Sequence, residues 1–114
     1  MARPRIYYVY ELPSEVVQIV RGIVADYERR ENAIKFSNVS GDVLSRYVEF
    51  NRAVDTALSV VDKNIRDNIM KDVALNRGYD FSLCSVHVSK CTYYLKKRQF
   101  IFSVANELNL IPKK

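Results

Sequence analysis

The chain has 114 residues and a mass of 13.2 kDa, with 18 Lys+Arg against 13 Asp+Glu and a formal net charge of +5. That length suits one domain, and 48% apolar with 27% charged residues excludes a disordered composition. Three glycines and three prolines are too few for the closely spaced turns of a β-sandwich or barrel, and they leave no Gly-rich loop to cradle a phosphate.

Residues 1–12 read as an extended arm. Ile6-Tyr7-Tyr8-Val9-Tyr10 is aromatic and β-branched, which favours extended backbone, and no hairpin partner follows it. Arg3 and Arg5 give this arm the composition of a minor-groove reader, and its tyrosines could stack on bases. Such rings more often cover a core or an interface while the hydroxyl stays wet. No apolar run approaches the ~18 residues of a membrane span, and none of signal-peptide length follows the basic start. With two cysteines and no secretory signal, free thiols in a reducing intracellular compartment are expected, away from the membrane.

A helical body is expected over 13–78. Pro13-Ser14-Glu15 opens a first helix at about 13–35, with Val16, Val20, Ile23, Tyr27 and Ile34 at helical spacing. Gly22 inside it points to close approach of another helix. Ser37 to Gly41 is a polar break, and Ser40 or Gly41 caps a second helix running to about residue 61. Asp62-Lys63-Asn64 interrupts the pattern before a third stretch, Ile65 to Ala74. Periodicity leaves open whether these two are separate helices or one bent rod. Asn76-Arg77-Gly78 supplies the stop.

The last segment, 80–109, has the form of a helix-turn-helix: a short helix at 81–87, a turn, and a longer helix at 90–109 capped by Ser89. The apolar side of the longer helix is read as Cys91, Tyr94, Ile101, Val104, Ala105 and Leu108, with Ser89, Thr92, Lys96 and Gln99 opposite. Charge singles out the same segment. Residues 82–114 hold six basic side chains against Glu107 alone, whereas residues 13–81 hold ten basic and eleven acidic ones. A concentrated positive field fits a polyanionic partner, and a recognition helix needs donors near its N-terminus that reach phosphates and base edges.

Residues 85–101, Ser-Val-His-Val-Ser-Lys-Cys-Thr-Tyr-Tyr-Leu-Lys-Lys-Arg-Gln-Phe-Ile, resemble the C-terminal helix-turn-helix of phage late-gene transcription regulators of the ArpU/RinA type. That element is in turn similar to the promoter-reading region of bacterial sigma factors. The resemblance rests on Ser-x-x-Thr-Tyr-Tyr-x-x-(Lys/Arg)-Arg at 89–98 and Val-Ala-x-x-Leu-x-Leu-Ile at 104–111, about a third of the chain. It implies DNA contacts on Ser89, Lys90, Thr92, Tyr93, Lys96 and Lys97, RNA polymerase as a further partner, and the cytoplasm of a bacterial host cell as the setting. With Arg98 added from the charge pattern, Lys90, Lys96, Lys97 and Arg98 would neutralise phosphates. Thr92 and Tyr93, together with Lys90, would face bases.

Other constellations carry less. Cys84, His87 and Cys91 have metal-ligand spacing, but a structural zinc site needs a fourth ligand and the chain has no further Cys or His. Glu28 with Glu31, and Asp67 with Asp72, lie among basic residues and read as solvated ion-pairing faces rather than acid–base pairs. No arrangement of nucleophile and base appears, so neither an enzyme, a cofactor nor a metal is expected. The reading is an all-α domain of four to five helices behind an extended arm, ending in a helix-turn-helix. It would be a sequence-specific regulator of double-stranded DNA, homodimeric on paired half-sites, with the apolar stripe of the long helix at about 41–61 serving either as the dimer surface or as internal core. A helical assembly adaptor that never touches DNA, or a DNA-packaging subunit, would share the same pattern.

Overall fold

Where the periodicity predicts one first helix, the structure has two. A computed structural model describes residues 11–36, 39–77 and 89–111. In it α1 (Ser14–Ala25) ends at Asp26 and α2 (Tyr27–Lys35) begins on the next residue. Asp26 has φ −97° and ψ 7°, off the helical well, and its carboxylate accepts two bonds from Arg29, Nε at 2.7 Å and Nη2 at 2.5 Å. A short acidic side chain held by the following turn competes with regular helix, as Asp does at helix starts. The break lets α2 pack along the next helix while α1 packs elsewhere.

That next helix, α3 (Gly41–Ser59), follows Ser40 at the cap position, and Gly41 sits at φ +61°, left-handed backbone that residues with a side chain rarely adopt. The interruption expected at 62–64 is real. A 3₁₀ turn (Lys63–Ile65) leads into α4 (Arg66–Ala74), so the two stretches are separate helices. Arg66 fastens the reversal, donating from Nε to the Val61 carbonyl at 2.8 Å and from Nη2 to that of Ser59 at 3.1 Å. The stop after α4 is Asn76 at φ 53°, with Arg77 N–H bonded back to Asp72 O at 2.8 Å. The same device ends α5 (Lys90–Glu107), where Asn109 has φ 57° and Leu110 N–H reaches Ala105 O at 2.9 Å. Both are Schellman closures with Asn in the left-handed position that Gly usually takes.

Among the described residues the chain is therefore all-α, with five α-helices and no strand. Its core joins Val20 and Val24 of α1, Val54 and Ala57 of α3, Ile65, Ile69 and Val73 around α4, and Tyr93, Phe100, Val104 and Ala105 of α5. α5 packs chiefly on α3, and α1 on α4 and α5, so α5 is held from several sides. None of the described helices is long and apolar enough to cross a membrane. Residues 1–10 of the expected arm, and the predicted short helix at 81–87 with its turn, lie outside the described residues.

Gly22 is not a packing glycine. It is exposed, and a Cβ built there meets nothing within 4 Å. Gly22→Ala should thus stabilise the fold by up to about 1 kcal/mol, the helix-propensity difference alone, read as a raised midpoint in urea unfolding.

Candidate nucleic-acid interface

The cap proposed for the last helix is present. Ser89 is extended (φ −65°, ψ 151°), and its Oγ accepts the Thr92 backbone N–H at 3.1 Å while donating to Thr92 Oγ1 at 2.9 Å. That bond satisfies one of the free amide groups of the first turn and fixes where α5 starts. Ser89, Lys90, Cys91 and Thr92 are all exposed, four consecutive positions that span a full turn. A helix end exposed all round projects from the body. Lys96 and Gln99 lie on the same side as Thr92 at about 100° per residue, and both are half-buried.

Tyr93, expected to face bases, does not stand with them. It is 1% exposed, and its hydroxyl donates to the buried carboxylate of Asp72 on α4. The buried face of α5 is Tyr93, Phe100, Val104 and Ala105, whereas the expected face ran through Cys91 and Tyr94. Cys91 is exposed instead. The helix is turned toward Tyr93, whose ring fills the core and whose hydroxyl finds a partner there. Asp72 is likewise no member of a solvated face. Only 4% exposed, it accepts from Tyr93 and pairs with Arg77 Nε at 3.3 Å, tying the end of α4 to the start of α5.

Lys97 and Arg98 also leave the expected row. Both are half-buried, and with Tyr94 and Ile101 they line a cleft between α5 and α1, which contributes Arg21. Lys97 Nζ donates to the Arg77 carbonyl at 2.7 Å and lies 5.9 Å from the centre of the Tyr94 ring. Burial pushes the Lys97 ammonium below its usual pKa, Asp72 and Tyr94 work against this, and Arg21 adds to it. The expected contact set thus divides. Ser89, Lys90, Thr92 and Lys96 belong to the projecting end and outer side, Lys97 and Arg98 to the cleft, and Tyr93 to the core.

Arg21 and Asn76 are cleft residues that sequence reasoning placed on no site, since the cleft joins helices far apart in the chain and no single-helix pattern marks it. Of the metal-spaced trio, only Cys91 is described, and no cluster of three Cys, His, Asp or Glu side chains suited to a metal occurs among the described residues. Comparison with protein families, with curated proteins and with solved structures gives no match for the chain.

Proposed function

We propose that the protein binds double-stranded DNA through the N-terminal end of α5, as a sequence-specific transcription regulator of phage or prophage type acting as a homodimer. The observation that carries this reading is the exposed first turn, Ser89 to Thr92, projecting from a helix that is otherwise packed into the body. A major groove admits one helix end, and a rigid core behind it fixes the approach. Lys90 and Lys96 would contact phosphates. The Thr92 hydroxyl and methyl would meet a base edge or a thymine methyl. Ser89 is best placed as the cap that sets the helix register, since its hydroxyl is already committed to Thr92.

An interaction adaptor is the second reading, favoured by apolar side chains that the fold leaves uncovered: Phe36 at 64% exposure, Val60 at 68% and Leu75 at 62%. Salt dependence separates the two. Affinity for a mixed-sequence duplex should fall steeply with added salt, and Lys90→Ala with Lys96→Ala should reduce the log–log slope by about 1.8, two phosphates' worth. The exposed pair Lys35→Ala with Lys71→Ala removes the same charge elsewhere and should leave the slope unchanged. No duplex binding at low salt by the folded protein, or equal slope losses from both pairs, overturns the DNA reading.

A further inference from the structure

The cleft between α1 and α5 is open to solvent and has a volume of about 670 Å³, within the range of small-molecule sites. Arg21 comes from α1, Lys97 and Arg98 from α5, and Glu11 is the one acidic side chain among the described residues that line it. Tyr94 and Ile101 on one wall, with Leu12 on the other, give it apolar surface beside the cations. Arg21 is half-buried on the α1 side of the cleft. The nearby carboxylate of Asp72 is occupied by Tyr93 and Arg77, and the Lys97 ammonium has the neutral carbonyl of Arg77 as its bonded acceptor.

Two half-buried cations on facing helices, beside an aromatic ring, make a receptor for an anion with a planar or apolar body. The guanidinium fork matches phosphate and carboxylate oxygens, and the ring offers a stacking face. We propose that this cleft binds a small organic anion, its phosphate or carboxylate held by Arg21 and Lys97 and its body lying against Tyr94, Ile101 and Leu12. The site does not depend on the DNA reading. At about 100° per residue, Tyr94, Lys97, Arg98 and Ile101 fall on the side of α5 away from Thr92, Lys96 and Gln99, so a duplex on that outer side leaves the cleft open.

Isothermal titration of the full chain with adenosine monophosphate, benzoate, inorganic phosphate and adenosine tests it, the first two separating a phosphate from a carboxylate source. At least one of the ring-bearing anions should bind saturably, more tightly than inorganic phosphate, and adenosine should give no saturable heat. Arg21→Ala should weaken the bound anion by about 10-fold to 100-fold, the loss of a charged hydrogen-bonding group. Arg46→Ala, the same charge change at an exposed position of α3, should not alter it. Circular dichroism reports whether Arg21→Ala folds. If it does not, Arg21→Lys keeps the charge, removes the guanidinium fork and should still weaken binding. Absence of saturable binding by either ring-bearing anion, adenosine binding as tightly as its monophosphate, or equal losses from Arg21→Ala and Arg46→Ala overturns the proposal.

Discussion

Tyr93→Phe should lower the stability of the fold by about 1–3 kcal/mol while leaving the duplex affinity of the folded protein unchanged. The ring is 1% exposed and touches the core of α5 and α4, so phenylalanine keeps its packing and removes only the hydroxyl that serves Asp72. Asp72, 4% exposed, is then left with Arg77 alone, whose Nε lies 3.3 Å away at a more exposed edge. A buried carboxylate that loses a donor bears much of its desolvation cost uncompensated. Tyr93→Ala removes the ring as well and should cost about 3–5 kcal/mol, the usual loss for a large buried aromatic. Urea unfolding gives both values. A Tyr93→Phe variant of unchanged stability and weakened duplex binding would instead return Tyr93 to the interface.

The second large effect is at Arg30, a charged residue 2% exposed inside the α1–α2–α3 junction. Its Nε donates to Asn51 Oδ1 at 2.6 Å, and its Nη2 donates to the Ile23 carbonyl. Asn51, 3% exposed, passes its own amide on to Glu31 Oε1 at 2.8 Å and to the Tyr27 carbonyl at 3.3 Å. The guanidinium carbon stands 5.6 Å from the centre of the Phe50 ring, and Nη1 lies 3.8 Å from Asp26 Oδ2. Burial disfavours the charged form of Arg30, and Asp26 opposes that. Arg30→Ala opens a cavity and leaves the Asn51 and Ile23 oxygens without donors, so a loss of about 3–5 kcal/mol is expected in urea unfolding. Arg30→Met combined with Asn51→Leu replaces the polar group by apolar packing and should recover part of that loss, because a buried ionic group often costs as much as it contributes. A loss below 1 kcal/mol for Arg30→Ala, on the order of a surface substitution, would remove Arg30 from the fold's supporting network.

Much of this architecture is legible in the residues. The Ser89 cap, the 62–64 interruption and the Asn76 stop each rest on local backbone chemistry that a neighbouring sequence carries in full. The break at Asp26 escapes because Tyr27 and Ile34 continue the apolar period across it, and only the Asp26–Arg29 bond marks the interruption. The facing of α5 escapes for a different reason. Apolar or aromatic residues spread over most of that helix's circumference, leaving only the row of Thr92, Lys96, Gln99 and Ser103 polar, so its own pattern does not select which part of that arc is buried. What selects it is Asp72, which lies on another helix and supplies the partner for Tyr93. The same applies to the cleft, where Arg21 meets Lys97 and Arg98 only once α1 and α5 are packed together.

This division of α5 into a core side, a cleft side and a projecting end is what makes the DNA reading specific. Titrating isotope-labelled protein with a short duplex and following its backbone amide resonances tests that reading most directly. The amides of Ser89, Lys90, Cys91, Thr92 and Lys96 should shift first and most, with Tyr93 moving only as their neighbour. Shifts confined to Phe36, Val60 and Leu75, or no shifts at low salt from the folded protein, would contradict DNA recognition by this helix end.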